Sequence, residues 1–165
     1  MAQHTSPEPR SLFQNAILTG SSWFGSGYFP KAPGTWGTVA AIPFWWLLAG
    51  LGPVLYAVVV AVFCGVAVYF SHEAEKIYGG HDSKKIVIDE VAGLLVAGLG
   101  VPFLWPQVVA AFLLFRLFDI TKPWPVGWAD EKVGGGWGVV LDDLIAGAMA
   151  CGVMHLGFFI VGGWW

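Results

Sequence analysis

Apolar residues in this chain fall into long uncharged runs rather than the one-sided stripes of a soluble helix or strand. Thr38–Phe70 and Val91–Phe115 hold no Asp, Glu, Lys or Arg, and neither does Leu144–Trp165. Arg10–Leu18 reads as a short amphipathic helix, followed by the Gly/Ser-rich Thr19–Gly37. Polar connectors at Ser71–Glu90 and Asp119–Leu141 divide the runs. A bilayer core of about 30 Å takes about 20 helical residues. Thr38–Phe70 is too long for one span, and Gly50-Leu51-Gly52-Pro53 breaks it, which predicts a helical hairpin with short arms. Val91–Phe118 is either one long kinked helix or a hairpin turning within Gly98–Pro106, where glycines and prolines cluster.

Charge placement favours the hairpin. With both runs folded back, the turns at 50–53 and 99–106 lie on one side. Arg10, Lys31, Lys76, Lys84, Lys85, Arg116, Lys122 and Lys132 lie on the other side or within one helical turn of it. The positive-inside rule makes that second side cytoplasmic. The expected fold is therefore all-α: a polytopic membrane protein of about five short helices arranged as hairpins, each arm about 11–15 residues, with an amphipathic N-terminal segment. The N-terminus is inside and the C-terminus outside, with Trp105, Trp164 and Trp165 at the outer interface. A polar tail, residues 1–9, precedes a single integral-membrane domain, residues 10–165.

Composition agrees. The chain is 56% hydrophobic and 12% charged, where soluble domains carry roughly 25% charged residues. Its mean hydropathy is +0.67. Met1–Arg10 lacks the apolar stretch of a secretory signal. Cys64 and Cys151 sit inside apolar runs with no Cys or His ligand pattern around them, as small packed residues do. A net charge of −3 leaves no basic face for nucleic acid.

The hairpin arrangement brings three groups of carboxylates to the cytoplasmic face: Asp89-Glu90, Asp119 and Asp142-Asp143. Helix capping alone accounts for Asp89-Glu90 and Asp142-Asp143 if each opens a helix. It does not account for Asp119, which closes one, where the helix dipole disfavours negative charge. Arg116, three residues earlier, or a bound cation offsets that cost. Five carboxylates at a partly desolvated interface must protonate or share a counter-ion. Oxygen ligands without a His/Cys cluster suit Mg²⁺ rather than Zn²⁺. Nearby groups suit an anion: Lys31 ahead of the turn Ala32-Pro33-Gly34-Thr35 into a helix, and Lys122 between Thr121 and Pro123, on what reads as a stiff extended segment. Gly134-Gly135-Gly136-Trp137-Gly138 leads to Asp142, although as a bare glycine run it also reads as a flexible connector. His81-Asp82 reads as a solvated loop pair and His155 as a packed or outer-interface histidine, while His4 and His72 carry no signal.

In order and spacing these segments resemble the phosphatidylglycerophosphatase A family. The resemblance rests on Pro30-Lys31-Ala32-Pro33-Gly34-Thr35-Trp36-Gly37-Thr38, Ile86–Gly93, Arg116-Leu117-Phe118-Asp119 with Lys122-Pro123-Trp124-Pro125, Asp130, and Gly135-Gly136-Trp137-Gly138 before Asp142-Asp143. It implies a Mg²⁺-dependent phosphatase of the bacterial inner membrane. Such an enzyme takes phosphatidylglycerophosphate to phosphatidylglycerol on the route to cardiolipin, with its site facing the cytoplasm. It carries catalytic or metal roles onto Asp89, Glu90, Asp119, Asp142 and Asp143, adds Asp130 as a metal candidate, and is consistent with Lys31, Thr35, Arg116 and Lys122 receiving the phosphate. Three other readings compete, one of them a non-catalytic assembly subunit whose acids are helix caps alone. A CDP-alcohol phosphotransferase also clusters membrane aspartates around Mg²⁺, but its Asp-Gly…Ala-Arg pattern is absent. An ion-coupled transporter spreads its acids through the membrane's thickness.

Overall fold

The computed structural model describes residues 10–79 and 83–163. Trp164, Trp165, His4 and His81-Asp82 lie outside the described residues, and so does the tail, residues 1–9. The described residues are helical without a strand: α1 Leu12–Ser21, α2 Pro33–Leu48, α3 Pro53–Tyr78, α4 Ile88–Ala97, α5 Trp105–Thr121, α6 Val126–Lys132 and α7 Gly135–Val161, with a 3₁₀ turn at Ser26–Tyr28.

Local sequence sets most of these boundaries. Ser11 and Gln14 form a reciprocal capping box at the start of α1. Prolines occupy the first turn of α2, α3 and α5, where their missing N–H costs nothing. Gly79 and Gly162 end α3 and α7 in the left-handed conformation. Both predicted breaks are present, one between Leu48 and Pro53 and one between Ala97 and Trp105.

The helix count and lengths depart from expectation. Beyond α1 there are six α-helices rather than five, because Val126–Lys132 coils within the second connector. Arms are not uniformly short either: α3 has 26 residues, α7 has 27 and α4 only 10. The uncharged run stops at Phe70, but Glu73-Ala74-Glu75-Lys76 are good helix formers and continue α3 to Tyr78. Hydrophobicity marked where charge begins, not where the helix stops. Among the described residues, only α3 and α7 are long and apolar enough to cross a membrane.

The short helix α4 is the hub. All its residues but Glu90 and Val96 are buried, and it packs against α2, α3, α5 and α7. Its tightest neighbour is α7. A Cβ on Gly147 would collide with the Gly93 carbonyl, and one on Gly93 would meet the Phe115 ring and the Asp143 carbonyl. Val91, Leu94 and Leu95 surround that contact with fully buried side chains. The Tyr56 hydroxyl donates to the Leu95 carbonyl at 2.9 Å, fastening α3 to α4. The Val87 N–H donates to Ser21 at 2.9 Å, and Gly27 lies against the Lys85 backbone, so the strap before α4 is held by the N-terminal segment. Cys64 and Cys151 are free thiols.

Gly147→Leu forces α4 and α7 apart; overpacking of this kind costs about 1–3 kcal/mol. The expected outcome is a lower thermal unfolding midpoint for the purified protein. Gly157→Leu, on the same helix with open space around the new side chain, leaves the midpoint near that of the parent or above it.

Candidate active site

Five helices, α3 to α7, bring charged residues to one end of the bundle. Asp89 and Glu90 occupy the first turn of α4, and the Asp89 carboxylate accepts the Glu90 N–H at 3.1 Å. Asp119 lies in the last turn of α5. Asp142 and Asp143 lie about two turns inside α7. That last position corrects the capping reading. No acid occupies the first turn of α7, so Asp142 and Asp143 satisfy no orphan N–H there. The helix begins earlier because Gly134–Gly138 is not a connector: Gly135 onward is already helical, with Gly136 packed against His72 and Gly138 against the Val133 carbonyl.

These residues line one pocket of about 430 Å³, together with Glu75, Asp130 and Lys122. Within it, oxygens of Asp89, Glu90 and Asp143 lie within 4.8 Å of one another. Two of the acids have orphaned atoms: Glu90 Oε2 and Asp143 Oδ1 are buried without a hydrogen-bond partner. Buried anionic oxygens left bare are costly. Three carboxylates so placed fit a divalent cation, and the trio is compatible with a metal centre.

Asp119, Asp130 and Asp142 each have a cation. Asp119 meets Arg116 at 2.5 Å, so the dipole cost foreseen at the end of α5 is offset within the helix. The same guanidinium lies 4.0 Å from Glu90. Lys122 donates to Asp130 at 2.5 Å and to Asp142 at 2.9 Å. Burial alone pulls the Lys122 ammonium down, but those two carboxylates outweigh it and raise its pKa above the ordinary lysine value. Lys122 is not on an extended segment, as its prolines suggested. It takes the left-handed conformation (φ 44°) and ends α5. Pro123 bars it from the right-handed helix, and this turn swings its side chain back over α7.

The other anion candidates are placed less directly. Thr35 is in the first turn of α2, next to Gly34, whose missing Cβ leaves room for Glu90 and Arg116. Lys31 is exposed one turn before and does not line the pocket. His155 packs far from the acids, its Nδ1 2.9 Å from the Cys151 carbonyl. Glu75 was not foreseen. It is buried on α3, and its signal is the spacing Ala67, Ser71, Ala74, Glu75, which keeps one helix face inward beyond the last apolar residue.

The profile of the family Phosphatidylglycerophosphatase A matches residues 19–158. An Escherichia coli protein of that name is 41% identical over 90% of this chain and 91% of its own length. A Haemophilus influenzae protein of the same name is 39% identical over 77% of this chain and 79% of its own. A Bacteroides thetaiotaomicron protein provisionally named a phosphatidylinositol-3-phosphatase is 36% identical over 88% and 95%. No solved structure matches the chain. An acidic pocket built from residues spread between Glu75 and Asp143, inside a match that covers most of the sequence, places the chain in the phosphatidylglycerophosphatase A family and makes it a phosphatase.

Proposed function

We propose that the enzyme is a Mg²⁺-dependent lipid phosphatase that hydrolyses the terminal phosphomonoester of phosphatidylglycerophosphate, releasing phosphatidylglycerol and inorganic phosphate. The observation that carries this reading is the trio Asp89, Glu90 and Asp143, with two bare buried oxygens, in a chain matching that family. Mg²⁺ is the hard, oxygen-loving ion that such a donor set suits.

The reading places a single domain, residues 10–165, in the bacterial inner membrane, with α2–α3 and α4–α5 as hairpins and α7 as the last span. The apolar spans α3 and α7 support it, as do exposed apolar side chains such as Trp46, Leu47, Val62, Leu113 and Phe159. Lys122, Lys132 and Arg116 lie at the acidic end, which the positive-inside rule makes cytoplasmic.

Asp89, Glu90 and Asp143 would hold the ion, with Asp119 beside them in the pocket. When bound, the ion neutralises phosphate charge and lowers the pKa of a coordinated water. Lys122, at the pocket wall, offers its ammonium to the phosphate oxygens and balances Asp142 and Asp130 when the site is empty. Arg116 fixes Asp119 and stands near Glu90, a positioning role rather than direct phosphate capture. Asp119 or Asp142, both in the pocket and outside the trio, takes the proton from the attacking water. The first turn of α2, with Thr35, offers backbone N–H groups on the Glu90 side.

Phosphate release from phosphatidylglycerophosphate, phosphatidylinositol 3-phosphate and phosphatidic acid in mixed micelles tests the substrate. The expected ranking puts phosphatidylglycerophosphate first; a preference for the inositol lipid would transfer the reading to the third relative's named activity. Asp143→Asn and Asp89→Asn lower kcat by about two orders of magnitude or more, the scale of losing one electrostatic element of a site, and they raise the Mg²⁺ concentration for half-maximal rate. Wild-type turnover in excess EDTA would sink the metal assignment. Lys122→Ala lowers kcat/KM by about tenfold or more, because it strips a phosphate contact and leaves Asp142 without its cation.

A further inference from the structure

A second concavity, about 340 Å³, lies between α3 and α7 and is lined by Gly65, Val68, Tyr69, His72, Gly136 and Trp137. The four α3 positions recur at helical spacing and form one stripe, about 10 Å long at 1.5 Å per residue. Extended by one turn, that stripe reaches Glu75, which lines the acid pocket. On α7 the two cavities are adjacent in sequence: Gly134 and Gly135 line the acid pocket, Gly136 and Trp137 the groove. Gly135 and Gly136 both border His72. The groove therefore starts at the rim of the acid pocket and runs along α3 towards the apolar middle of that helix.

Its walls are shaped by missing side chains. Gly136 lets the α7 backbone close against Val68 and His72, whereas a Cβ on Gly65 would meet nothing within 4 Å. The floor at Gly65 is bare. Tyr69 and Trp137, 50% and 60% exposed, stand on the two sides, amphipathic rings of the kind that settle at headgroup depth. A groove of this size is at the small-ligand scale of roughly 300–1,000 Å³ rather than the scale of a docked helix. The pocket formed by Trp46, Leu47, Gly50 and Pro102 shares no lining residue with the acid pocket and lacks this continuity.

We infer that the α3–α7 groove is the acyl-chain subsite of the enzyme: one chain of the lipid phosphate lies over Gly65 and Val68 while its headgroup enters the acid pocket past His72. The inference rests on the lipid-phosphatase reading and deepens it. It makes Gly65 a specificity position, since any larger side chain there occupies the path of the chain.

The test compares dioleoyl phosphatidylglycerophosphate with the deacylated, water-soluble form of the same headgroup. The ratio of kcat/KM for the two substrates cancels any loss of active protein. In Gly65→Leu the ratio falls tenfold or more. In Gly157→Leu, which adds the same bulk to α7 away from the groove, it stays within twofold of the parent. An unchanged ratio in Gly65→Leu overturns the subsite. If the parent enzyme hydrolyses neither substrate, it is the phosphatidylglycerophosphate assignment that fails, and the groove is then judged by photolabelling. A phosphatidic acid carrying a diazirine midway along one chain, in vesicles with the purified enzyme, labels the segments 65–72 and 136–137 above the remaining exposed faces of α3 and α7. Even labelling over those faces overturns the proposal.

Discussion

The site depends on one close contact, the approach of α4 and α7 at Gly93 and Gly147. Each glycine has an aspartate four residues before it, Asp89 on α4 and Asp143 on α7. Four residues make about one helical turn, so each aspartate sits above its glycine on the same face. Both helices enter from the acidic end. Backbones that touch at the glycines therefore carry the two carboxylates to the same level one turn higher. Any side chain at either glycine widens the gap, and the separation of the acids widens with it.

That contact works against electrostatics. Seven acidic residues line the pocket with one lysine, and Arg116 stands just behind. If ionised, the carboxylates of Asp89, Glu90 and Asp143, within 4.8 Å of one another, would repel by about 3–4 kcal/mol per pair at an effective dielectric near 20. The chain distributes its two cations so that Asp119, Asp130 and Asp142 are answered and Glu90 is partly answered. Asp89 and Asp143 bring carboxylate oxygens within 4.8 Å of each other, and no cation among the described residues pairs with either. The unanswered charge is thus concentrated on the facing glycine-supported turns, which is where a divalent ion is most strongly attracted. The repulsion between these acids and the proposed affinity for a divalent cation would have one origin.

Much of this was legible in the chain. Uncharged runs and their Gly/Pro breaks located the gaps at Leu48–Pro53 and Ala97–Trp105, because a glycine or proline acts on its own local backbone. The five principal acids were legible because charge in an otherwise apolar sequence is conspicuous. The less legible features depend on partners. Helix α7 begins at Gly135 because Gly136 packs on His72 and Gly138 on Val133, and a bare glycine run looks like a loop until those neighbours exist. Glu75 hid in a connector because its inward orientation follows from α3 continuing past the last apolar residue. Lys122 turned back over α7 through a single left-handed residue, a choice that propensity does not foretell. The spacing Asp-x-x-x-Gly occurs three times in the sequence, at Asp89–Gly93, Asp130–Gly134 and Asp143–Gly147, yet nothing local says that Gly93 and Gly147 meet.

The proportions of the helices follow from the same demand. At 10 residues, α4 is too short to be stable alone, and its order comes from burial on nearly every side. In a lipid environment apolar contact gives little net drive for helices to associate, so small residues and buried hydrogen bonds must supply it. Gly93, Gly147, Gly37 against Val87, and the Tyr56 hydroxyl on Leu95 are of that kind. They grip α4 along its length and leave its first turn to the carboxylates. The longer α3 and α7 expose apolar side chains, as α2 and α5 also do, and α3 also carries Glu75 to the pocket rim. A short helix clamped between long ones lets a membrane-compatible fold hold mutually repelling acids in register, because the force that opposes their separation acts one turn below them.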